Sequence, residues 1–582
     1  MVLFNSFFSR SKADRPVFLY EIRDAFAEHA NAVLKIQARC ADNAIREWEL
    51  PFQIPEKPDL HTESFLRRYL QANLSNLLAA FGPCEVSLCP GTFSPFLNVL
   101  LAELDEAFGV CLAREERRGM GRILNIAERI AEAKGRPGHF RFLYGKTLSA
   151  EQSSVSDSAP VFNAQQLEQT ASHTRLLGID VGGTDVKLAA SENGRLICCK
   201  EYDWNPAAFE TAEDFVSPLL LLVRLMRCAS ACPQDLLPLR EKALDAHADE
   251  DIMQRFCEAV ESKADPFGFE AVGLSFPDVV ISDRIVGGET SKTQGIRTHN
   301  PAGYEKEFAR LRTWNERIAD TAGTDCRVGV INDGSMAAFS RFVENGCLAT
   351  GGVLAHTLGT DIGTGYVAES SCIPDLPLEI YRFAVDLGSE RSLCFPEEDV
   401  RAIRSGGLAG TLHCTVNQAG AFRLAALRLP KESPALWREI LSRRFVNDCG
   451  GMWKVPSDQR KPFLEFLMRK AEEKEPACEE IFREIGKYLG AARRETKFWL
   501  ADSCKDISLY GRLAKPGKAF SLMREEAEKI SPKTHFFAAD SSSAHTPLMR
   551  ALCETPYLPT QFAQAVGALY YGASVLLKER IL

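Results

Sequence analysis

The sequence lacks the features of several protein classes. Its 18 cysteines are scattered, and no two of them form a Cys-x-x-Cys pair. The most apolar run, residues 218–223, ends at Arg224 and is far too short to span a bilayer. The first ten residues hold no long apolar stretch of the kind a secretory signal needs. We therefore expect reduced thiols, a cytoplasmic location and no membrane partner.

The sequence also has no excess of positive charge. Its formal net charge is −9 and its pI is near 5.8, which argues against nucleic acid as the main partner. A basic cluster at residues 114–122 contains Glu115 and Glu116 and predicts a solvated helix face rather than a DNA-reading element. With 582 residues, 45% hydrophobic and 25% charged, the chain is that of a globular protein with two to four domains.

Changes of pattern along the chain predict its domains. Apolar residues within 1–146 recur at spacings of three and four, which predicts a helical N-terminal domain; examples are Phe18, Ile22, Phe26, Val33 and Ile36. Residues 147–174 are polar, serine-rich and without period, which predicts a linker. Strands then alternate with helices, which predicts α/β layers. We expect one lobe over residues 175–345 and a second over residues 346–582.

Two turns rich in glycine and threonine mark the α/β part. The first contains Asp180, Gly182, Gly183 and Thr184 and joins two apolar strands, which predicts a β-hairpin. Glycines let the backbone pass close to a bound anion, and threonine adds a hydroxyl donor. An ordinary hairpin is the alternative for one turn alone, but two such turns predict two lobes that close on one nucleotide. The second turn contains Gly359, Thr360, Gly363, Thr364 and Gly365.

Acidic residues in this part fit phosphoryl transfer. That reaction needs donors around the phosphates, a magnesium ion and one carboxylate that takes the hydroxyl proton. Asp333 follows a short apolar strand and precedes a helix, so it is the candidate base; a helix N-cap is the alternative, and the two roles are compatible. Asp180 is the candidate Mg²⁺ ligand, through water, or else a carboxylate satisfied by loop amides.

Taken in order, these motifs resemble the actin-like ATPase superfamily and, within it, the ROK group of bacterial sugar kinases and repressors. Residues 178–184 resemble the first phosphate motif and residues 359–365 the second. Residues 272–277 resemble the strand before a Pro-Gly turn, and residues 330–333 the Asn-Asp motif that carries the base. Residues 377–380 resemble the stretch with a sugar-binding glutamate. The resemblance covers about residues 176–577 and implies a two-lobed, ribonuclease-H-like α/β fold.

The resemblance implies an ATP-dependent, glucokinase-like kinase that phosphorylates a hydroxyl of a sugar or sugar-like substrate, with ATP and Mg²⁺ as cofactors. Asn332 and Glu379 would bind the sugar, and Gly511 would lie on the adenosine side of the nucleotide. A solvated loop residue is the alternative for Glu379. The resemblance is compatible with a homodimer, and it implies no nucleic-acid partner for a kinase.

The sequence departs from the family pattern at several positions. The Pro-Gly turn reads Pro277-Asp278, Asp361 stands where glycine is usual, and Arg382 stands where a sugar-contacting histidine is expected. A carboxylate at position 361 repels a triphosphate unless a metal intervenes or it points away. We expect Lys187 to face solvent rather than to pair with an acidic neighbour.

These departures keep two other functions open. One is a catalytically silent protein that senses a sugar or nucleotide with the same fold. The other is a repressor in which residues 1–150 bind DNA, and the acidic composition argues against it.

The cysteine-rich zinc loop of the family is also missing, because only Cys394 and Cys414 lie in the corresponding region. We therefore expect the purified protein to carry no stoichiometric zinc and to keep its unfolding temperature in the presence of a chelator. Elemental analysis and thermal melts check this. About one tightly held zinc ion per chain would contradict it.

Overall fold

The structure is a computed structural model that describes residues 2–13, 15–91, 95–136, 139–148, 163–266, 268–287, 293–388, 410–448, 453–538 and 544–581. We divide it into an N-terminal unit (residues 2–148), a first lobe (163–345) and a second lobe (346–581). Within those ranges, no helix combines the length and the apolar character that crossing a membrane requires.

The N-terminal unit combines helices with a four-stranded sheet of order β2-β1-β3-β4. Strand β1 is antiparallel to β2 and β3, and β3 is parallel to β4. The elements are α1 (Val2–Lys12), α2 (Leu19–Glu28), β1 (Ala32–Arg39), β2 (Ile45–Phe52), α3 (Leu60–Phe81), β3 (Glu85–Pro90), α4 (Pro95–Ala102), α5 (Leu104–Ala107), α6 (Arg122–Ala133) and β4 (Arg141–Tyr144).

The prediction of a helical N-terminal domain is therefore wrong. Val33 and Ile36 are three residues apart, but both belong to β1. Leu34, Ile36 and Ala38 are fully buried, whereas Lys35 is exposed and Gln37 half-buried. Burial thus follows the period of two that a strand imposes, and Val33 and Ile36 point to opposite faces of the sheet.

The basic cluster at residues 114–122 does not form a solvated helix face either. Residues 114–118 lie in turns before α6. Arg117 is 1% exposed and donates to Glu128 on α6 at 2.8 Å. Arg114 also donates to Glu128, at 3.0 Å. The cluster ties a loop to a helix inside the unit.

The first lobe is built on a five-stranded sheet of order β11-β8-β5-β6-β7. Strands β5, β6 and β7 form an antiparallel meander, and β8 and β11 continue the sheet parallel to β5. The elements are α7 (Ala164–Ala171), β5 (Arg175–Val181), β6 (Asp185–Glu192), β7 (Arg195–Asp203), α8 (Glu213–Ser230), α9 (Leu237–Leu244), α10 (Glu250–Glu261), β8 (Ala271–Phe276), β9 (Val280–Ile281), β10 (Arg284–Ile285), α11 (Gln294–His299), α12 (Tyr304–Leu311), α13 (Trp314–Ala322), β11 (Arg327–Asn332) and α14 (Asp333–Glu344).

The second lobe repeats this plan in a sheet of order β13-β12-β16-β17. Strands β12 and β13 form an antiparallel hairpin, and β16 and β17 follow parallel to β12. The repeated hairpin with added parallel strands confirms the predicted two-lobed, ribonuclease-H-like α/β fold. The elements are β12 (Val353–Leu358), β13 (Ile362–Val367), α15 (Gln418–Glu432), α16 (Pro434–Ser442), β14 (Asn447–Asp448), β15 (Trp453–Lys454), α17 (Arg460–Glu472), α18 (Pro476–Leu500), β16 (Asp506–Tyr510), α19 (Lys518–Ile530), β17 (His535–Ala538), α20 (Pro547–Cys553) and α21 (Pro559–Ile581).

The predicted linker is not a linker over its whole length. Helix α7 occupies residues 164–171, and its Leu167 and Ala171 are buried. They join a core formed by α14, α21 and strands of both lobes. Residues 149–162 of the predicted linker lie outside the described residues.

The N-terminal unit shares one hydrophobic core with the second lobe, which runs from α1 through the sheet of the unit to α18. Arg23 on α2 and Glu495 on α18, 6% and 0% exposed, are joined at 2.6 Å. Trp48 on β2 donates its indole N–H to the carbonyl of Trp499 at 3.0 Å. Separating the two parts would leave a buried charge without its partner and expose apolar surface, both of which are strongly destabilising.

We predict that the chain stays assembled when it is cut between the N-terminal unit and the first lobe. A site-specific protease sequence inserted between residues 149 and 162 would allow the cut. The two fragments should co-elute on size-exclusion chromatography in native buffer and separate only in denaturant. Separation in native buffer would show that the shared core does not hold them together.

Candidate functional site

Two neighbouring clefts lie between the lobes, and we name them cleft A and cleft B. Cleft A lies between the turn after β5 and the turn after β12, and cleft B lies beside it, towards residues 377–381. Asp333 and Asp361 line both clefts. The predicted site residues in cleft A are Asp180, Gly182, Gly183, Thr184, Asp333, Gly359, Thr360 and Gly511. Those in cleft B are Asn332, Asp333, Gly363, Thr364 and Glu379.

Asp180 lies near the end of β5, next to β8 in the sheet. It is 7% exposed, and its Oδ1 accepts a hydrogen bond from the hydroxyl of Ser275 at 2.7 Å. Burial raises the pKa of the Asp180 carboxyl to about 6, although the charge of Lys187 and the Ser275 hydrogen bond oppose it. A buried carboxylate that ionises at such a cost is more typical of a binding site than of a turn.

Lys187 does not face solvent, and that prediction is wrong. It is 8% exposed, and its Nζ donates to Oδ1 of Asp185, which is 9% exposed. Burial lowers the pKa of Lys187, but the carboxylates of Asp185 and Asp180 outweigh burial and raise it. Burial likewise raises the pKa of Asp185, and Lys187 outweighs it, so that pKa is lowered. Both groups are therefore ionised at neutral pH.

Asn332, rather than Asp333, caps helix α14. Its Oδ1 accepts from the amides of Gly334 at 2.9 Å and Ser335 at 3.4 Å. Its Nδ2 donates to the carbonyl of Asp278 at 2.9 Å. Asp333 is the first residue of the helix, and its Oδ1 accepts from the amide of Gly334 at 2.8 Å. A carboxylate at this position is stabilised by the positive end of the helix dipole.

Asp361 is held by the segment that precedes α15. Its Oδ1 lies 2.5 Å from Nδ1 of His413 and 3.2 Å from Nδ2 of Asn417. His413 is 1% exposed, and Asn417 also caps α15 by accepting from the amide of Gly420 at 2.7 Å. The second turn therefore meets a hydrogen-bonding network at position 361, where glycine is usual in the family that the sequence resembles.

Glu379 is not a solvated loop residue. It is 6% exposed and lies within ion-pairing distance, 3.7 Å, of Arg382, which is also 6% exposed. Where the family pattern has a sugar-contacting histidine, this chain therefore has Arg382, whose guanidinium lies beside the carboxylate of Glu379. At the Pro277-Asp278 turn, Oδ1 of Asp278 accepts from the amide of Val279 at 2.7 Å, which stabilises the turn.

Part of the second turn lies where the sequence assignment did not expect it. Gly363 and Thr364, assigned to the nucleotide, line cleft B and not cleft A. Thr364 is 2% exposed, and its hydroxyl lies 2.9 Å from Nδ1 of His356. Gly365 lines neither cleft. A Cβ on Gly365 would come within 1.9 Å of the carbonyl oxygen of Gly334, so this glycine is needed for packing β13 against α14.

Sequence reasoning missed several lining residues of cleft A. Asp185 and Lys187 could have been found, because residues two apart in a strand share a face. Other missed lining residues come from several parts of the chain; they are Val181, Glu201, Thr357, Gln418, Arg512, Thr560, Gln561 and Gln564. Gln564 on α21 also donates to the carbonyl of Asp333 at 2.8 Å, so the last helix holds the start of α14.

The residues of cleft A fit a polyphosphate that arrives with a divalent cation. Five carboxylates line it (Asp180, Asp185, Glu201, Asp333 and Asp361), against the two cationic side chains of Lys187 and Arg512. Carboxylate oxygens are the ligands that Mg²⁺ prefers. The turn residues Gly182 and Gly183, which are half-buried, and Thr184, which is exposed, can supply amide and hydroxyl donors. A free polyanion would be repelled, whereas its magnesium complex would not.

No protein-family model and no curated protein matches this chain. A ROK family glucokinase from Streptomyces griseus, solved with glucose and AMPPNP, is 16% identical over 68% of this chain and 99% of that one, with a TM-score of 0.37. A ROK hexokinase from Thermus thermophilus is 15% identical over 65% of this chain and 98% of that one, with a TM-score of 0.35. A ROK family transcriptional regulator, a homologue of the E. coli MLC protein, is 12% identical over 88% of this chain and 100% of that one, with a TM-score of 0.40. These proteins carry the name of the group that the motifs resemble.

We predict that Asp180→Asn stabilises the unliganded protein near neutral pH. Because the folded-state pKa is raised from 3.8 to about 6, ionisation of Asp180 opposes folding fully above about pH 6 and less as the pH falls. The variant should gain about 1–3 kcal/mol of unfolding free energy at pH 7.5 and about half as much at pH 5. Urea denaturation at both pH values measures this, with the exposed Asp320→Asn as control. A loss of stability at pH 7.5 would contradict the prediction.

Proposed function

We propose that the protein is an ATP-dependent kinase that transfers the γ-phosphoryl group to a hydroxyl of a sugar or sugar-like substrate. The observation that carries this proposal is the position of Asp333, whose side chain lines both cleft A and cleft B. Cleft A has the donors and carboxylates that suit a magnesium-bound polyphosphate, and cleft B has polar groups that suit hydroxyls. A general base for phosphoryl transfer must stand between two such sites.

In the proposed reaction, cleft A would hold ATP through the turns at residues 182–184 and 359–360, with Arg512 as a cationic contact; Lys187 is already paired with Asp185. Asp180 would hold Mg²⁺ through water. Bound there, Mg²⁺ would neutralise charge on the transferring phosphoryl group. The two lobes would bring the terminal phosphate to the end of cleft A that Asp333 lines.

Cleft B would bind the acceptor. Glu379 is the proposed contact to acceptor hydroxyls, and Arg382 lies beside it at 3.7 Å. Asn332 uses its Oδ1 for the helix cap and one Nδ2–H for the carbonyl of Asp278, which leaves its second Nδ2–H for an acceptor hydroxyl. Pro277 and Leu378 complete the lining with apolar surface.

The chemical step would proceed at Asp333. Its carboxylate takes the proton of the acceptor hydroxyl while the hydroxyl oxygen bonds to the γ-phosphorus, and the bond from that phosphorus to the bridging oxygen of ADP breaks. The amide of Gly334 stabilises the carboxylate before the transfer. Gln564 fixes the backbone of the same residue from the other side.

We predict that Asp333→Asn lowers acceptor-dependent ATP turnover by about 10²–10⁴-fold, because a general base contributes that much to the rate. Affinity for Mg·ATP should change little, since the turns and the metal hold the phosphates. A coupled ADP-release assay across a sugar panel and calorimetric nucleotide titration measure the two effects. The matched control is Asp249→Asn, which alters an aspartate that only caps a helix, α10, and should keep full turnover.

The same assays separate the kinase from the sensor. If Asp333→Asn keeps wild-type turnover, Asp333 is a structural helix residue and not the base. If the wild-type protein binds nucleotide and sugar but releases no ADP with any member of the panel, the kinase proposal fails and the silent sensor with the same fold replaces it.

A further inference from the structure

The backbone of residues 377–387, which carries Glu379, is hydrogen-bonded to the N-terminal unit. The amide of Leu378 donates to the carbonyl of Ala80 at 3.2 Å, and the amide of Glu379 donates to the carbonyl of Ala79 at 3.0 Å. Both carbonyls belong to the last turn of α3. The final carbonyls of a helix have no partner inside the helix. Helix α3 thus ends by binding the two amides that fix the backbone at Glu379.

A second set of bonds holds the same segment further along. Asn76, one turn earlier on α3 and fully buried, donates its Nδ2 to the carbonyl of Ala384 at 3.1 Å and accepts the amide of Ala384 at 2.8 Å. The side chain of Asn76 thereby pairs with both the backbone N–H and the backbone carbonyl of Ala384. Residues just before α2 and at its start also bond to the backbone of this segment. The amide of Leu19 donates to the carbonyl of Val385 at 2.8 Å, and the amide of Leu387 donates to the carbonyl of Val17 at 2.9 Å.

The conformation at Glu379 needs such support. Leu378 has a φ of +44°, a left-handed conformation that costs a bulky residue free energy and persists only where its surroundings impose it. Gly82, the C-cap of α3, has a φ of +50°. A Cβ there would lie 2.7 Å from Cδ1 of Ile130 and 3.1 Å from Cγ of Pro377. The end of α3 and the start of the segment are therefore fitted to each other.

The second lobe holds this segment at a different place. Val385 donates its amide to the carbonyl of Gly410 at 3.0 Å, and Leu412 donates to Phe383 at 3.0 Å. These bonds lie four to six residues beyond Glu379. The amides of Leu378 and Glu379 themselves donate to carbonyls of α3.

We infer that the N-terminal unit is a positioning element of the active site: through Asn76 and the last turn of α3 it sets the place of Glu379 in cleft B. The inference rests on the proposed function in so far as Glu379 meets the acceptor. It gives residues 2–148 a role in acceptor binding, distinct from both DNA binding and nucleotide binding.

The test compares Asn76→Ala with Asn31→Ala. Asn31 makes the same pair of bonds, to the amide and carbonyl of Ile54, but inside the N-terminal unit and at its surface. In Asn76→Ala the KM for the acceptor should rise about tenfold, while the KM for Mg·ATP stays within about twofold, since the partners that Asn76 loses are Ala384 in the acceptor segment and Glu495 on α18, neither of which lines cleft A. Asn31→Ala should leave both values at the wild-type level.

Asn76 is buried, so a second, milder pair of variants guards against misfolding. Arg68 on α3 is half-buried and donates to the carbonyl of Leu387 at 2.9 Å. Its neighbour Arg67 is also half-buried and pairs with Glu103 inside the unit at 2.6 Å. Arg68→Ala should raise the acceptor KM about threefold and Arg67→Ala should not.

Hydrogen–deuterium exchange gives a readout that does not depend on catalysis. Amides at residues 378–387 should be protected in the wild type and exchange at least about tenfold faster in Asn76→Ala, with no change in Asn31→Ala. If exchange is unchanged, the anchoring is absent and the inference is overturned. If exchange accelerates but the acceptor KM does not change, the contact is structural only, which also overturns it. If the wild type has no turnover at all, the proposed function fails, and faster exchange together with weaker sugar binding by calorimetry would still support the positioning role.

Discussion

The direction of the central strands is the constraint on which the candidate site depends. In the first lobe β5, β8 and β11 run parallel, so that Asp180, Ser275 and Asn332 arrive at one edge of the sheet. In an open α/β sheet this carboxyl edge is where ligands bind. The second lobe repeats the arrangement with β12 and β16, and the two edges face one another across cleft A. Residues from distant parts of the chain meet there because the topology is repeated.

The sequence predicted those parts of the fold whose pattern is local. The hairpin at residues 176–191 and the second turn at residues 358–366 were recognised because glycine and threonine interrupt apolar strands. The helix after Asp333 followed from a good capping sequence. Strand β1 was missed because apolar residues at positions 33 and 36 mimic helical spacing, although burial alternates residue by residue. Spacing alone does not reveal which face an isolated element buries.

The rest of the site depended on contacts that no local pattern encodes. Lys187 is buried on β6, which lies between β5 and β7 in the sheet, and the carboxylates of Asp185 and Asp180 make that position tolerable. Arg23 and Glu495 meet across 472 residues of sequence. Asp361 is hydrogen-bonded to His413 and Asn417, which lie 52 and 56 residues further along the chain. For Arg23 and Asp361 the partner comes from tertiary structure, whereas the partner of Lys187 lies two residues away on the same strand.

The charge of cleft A follows from the same partners. The pair of Lys187 and Asp185 neutralises itself, and the network of His413 and Asn417 ties Asp361 to the segment before α15. The carboxylates of Asp180, Glu201, Asp333 and Asp361 then outnumber the one remaining cationic side chain of the lining, Arg512. A polyphosphate in this cleft meets repulsion that grows with each ionised carboxylate, and only a cation bound between them reverses the sign. Since burial raises the pKa of Asp180 to about 6, this carboxylate of the lining is fully ionised only above that pH. In the proposed function, a cation bound beside Asp180 would offset the cost that burial places on ionising this carboxyl.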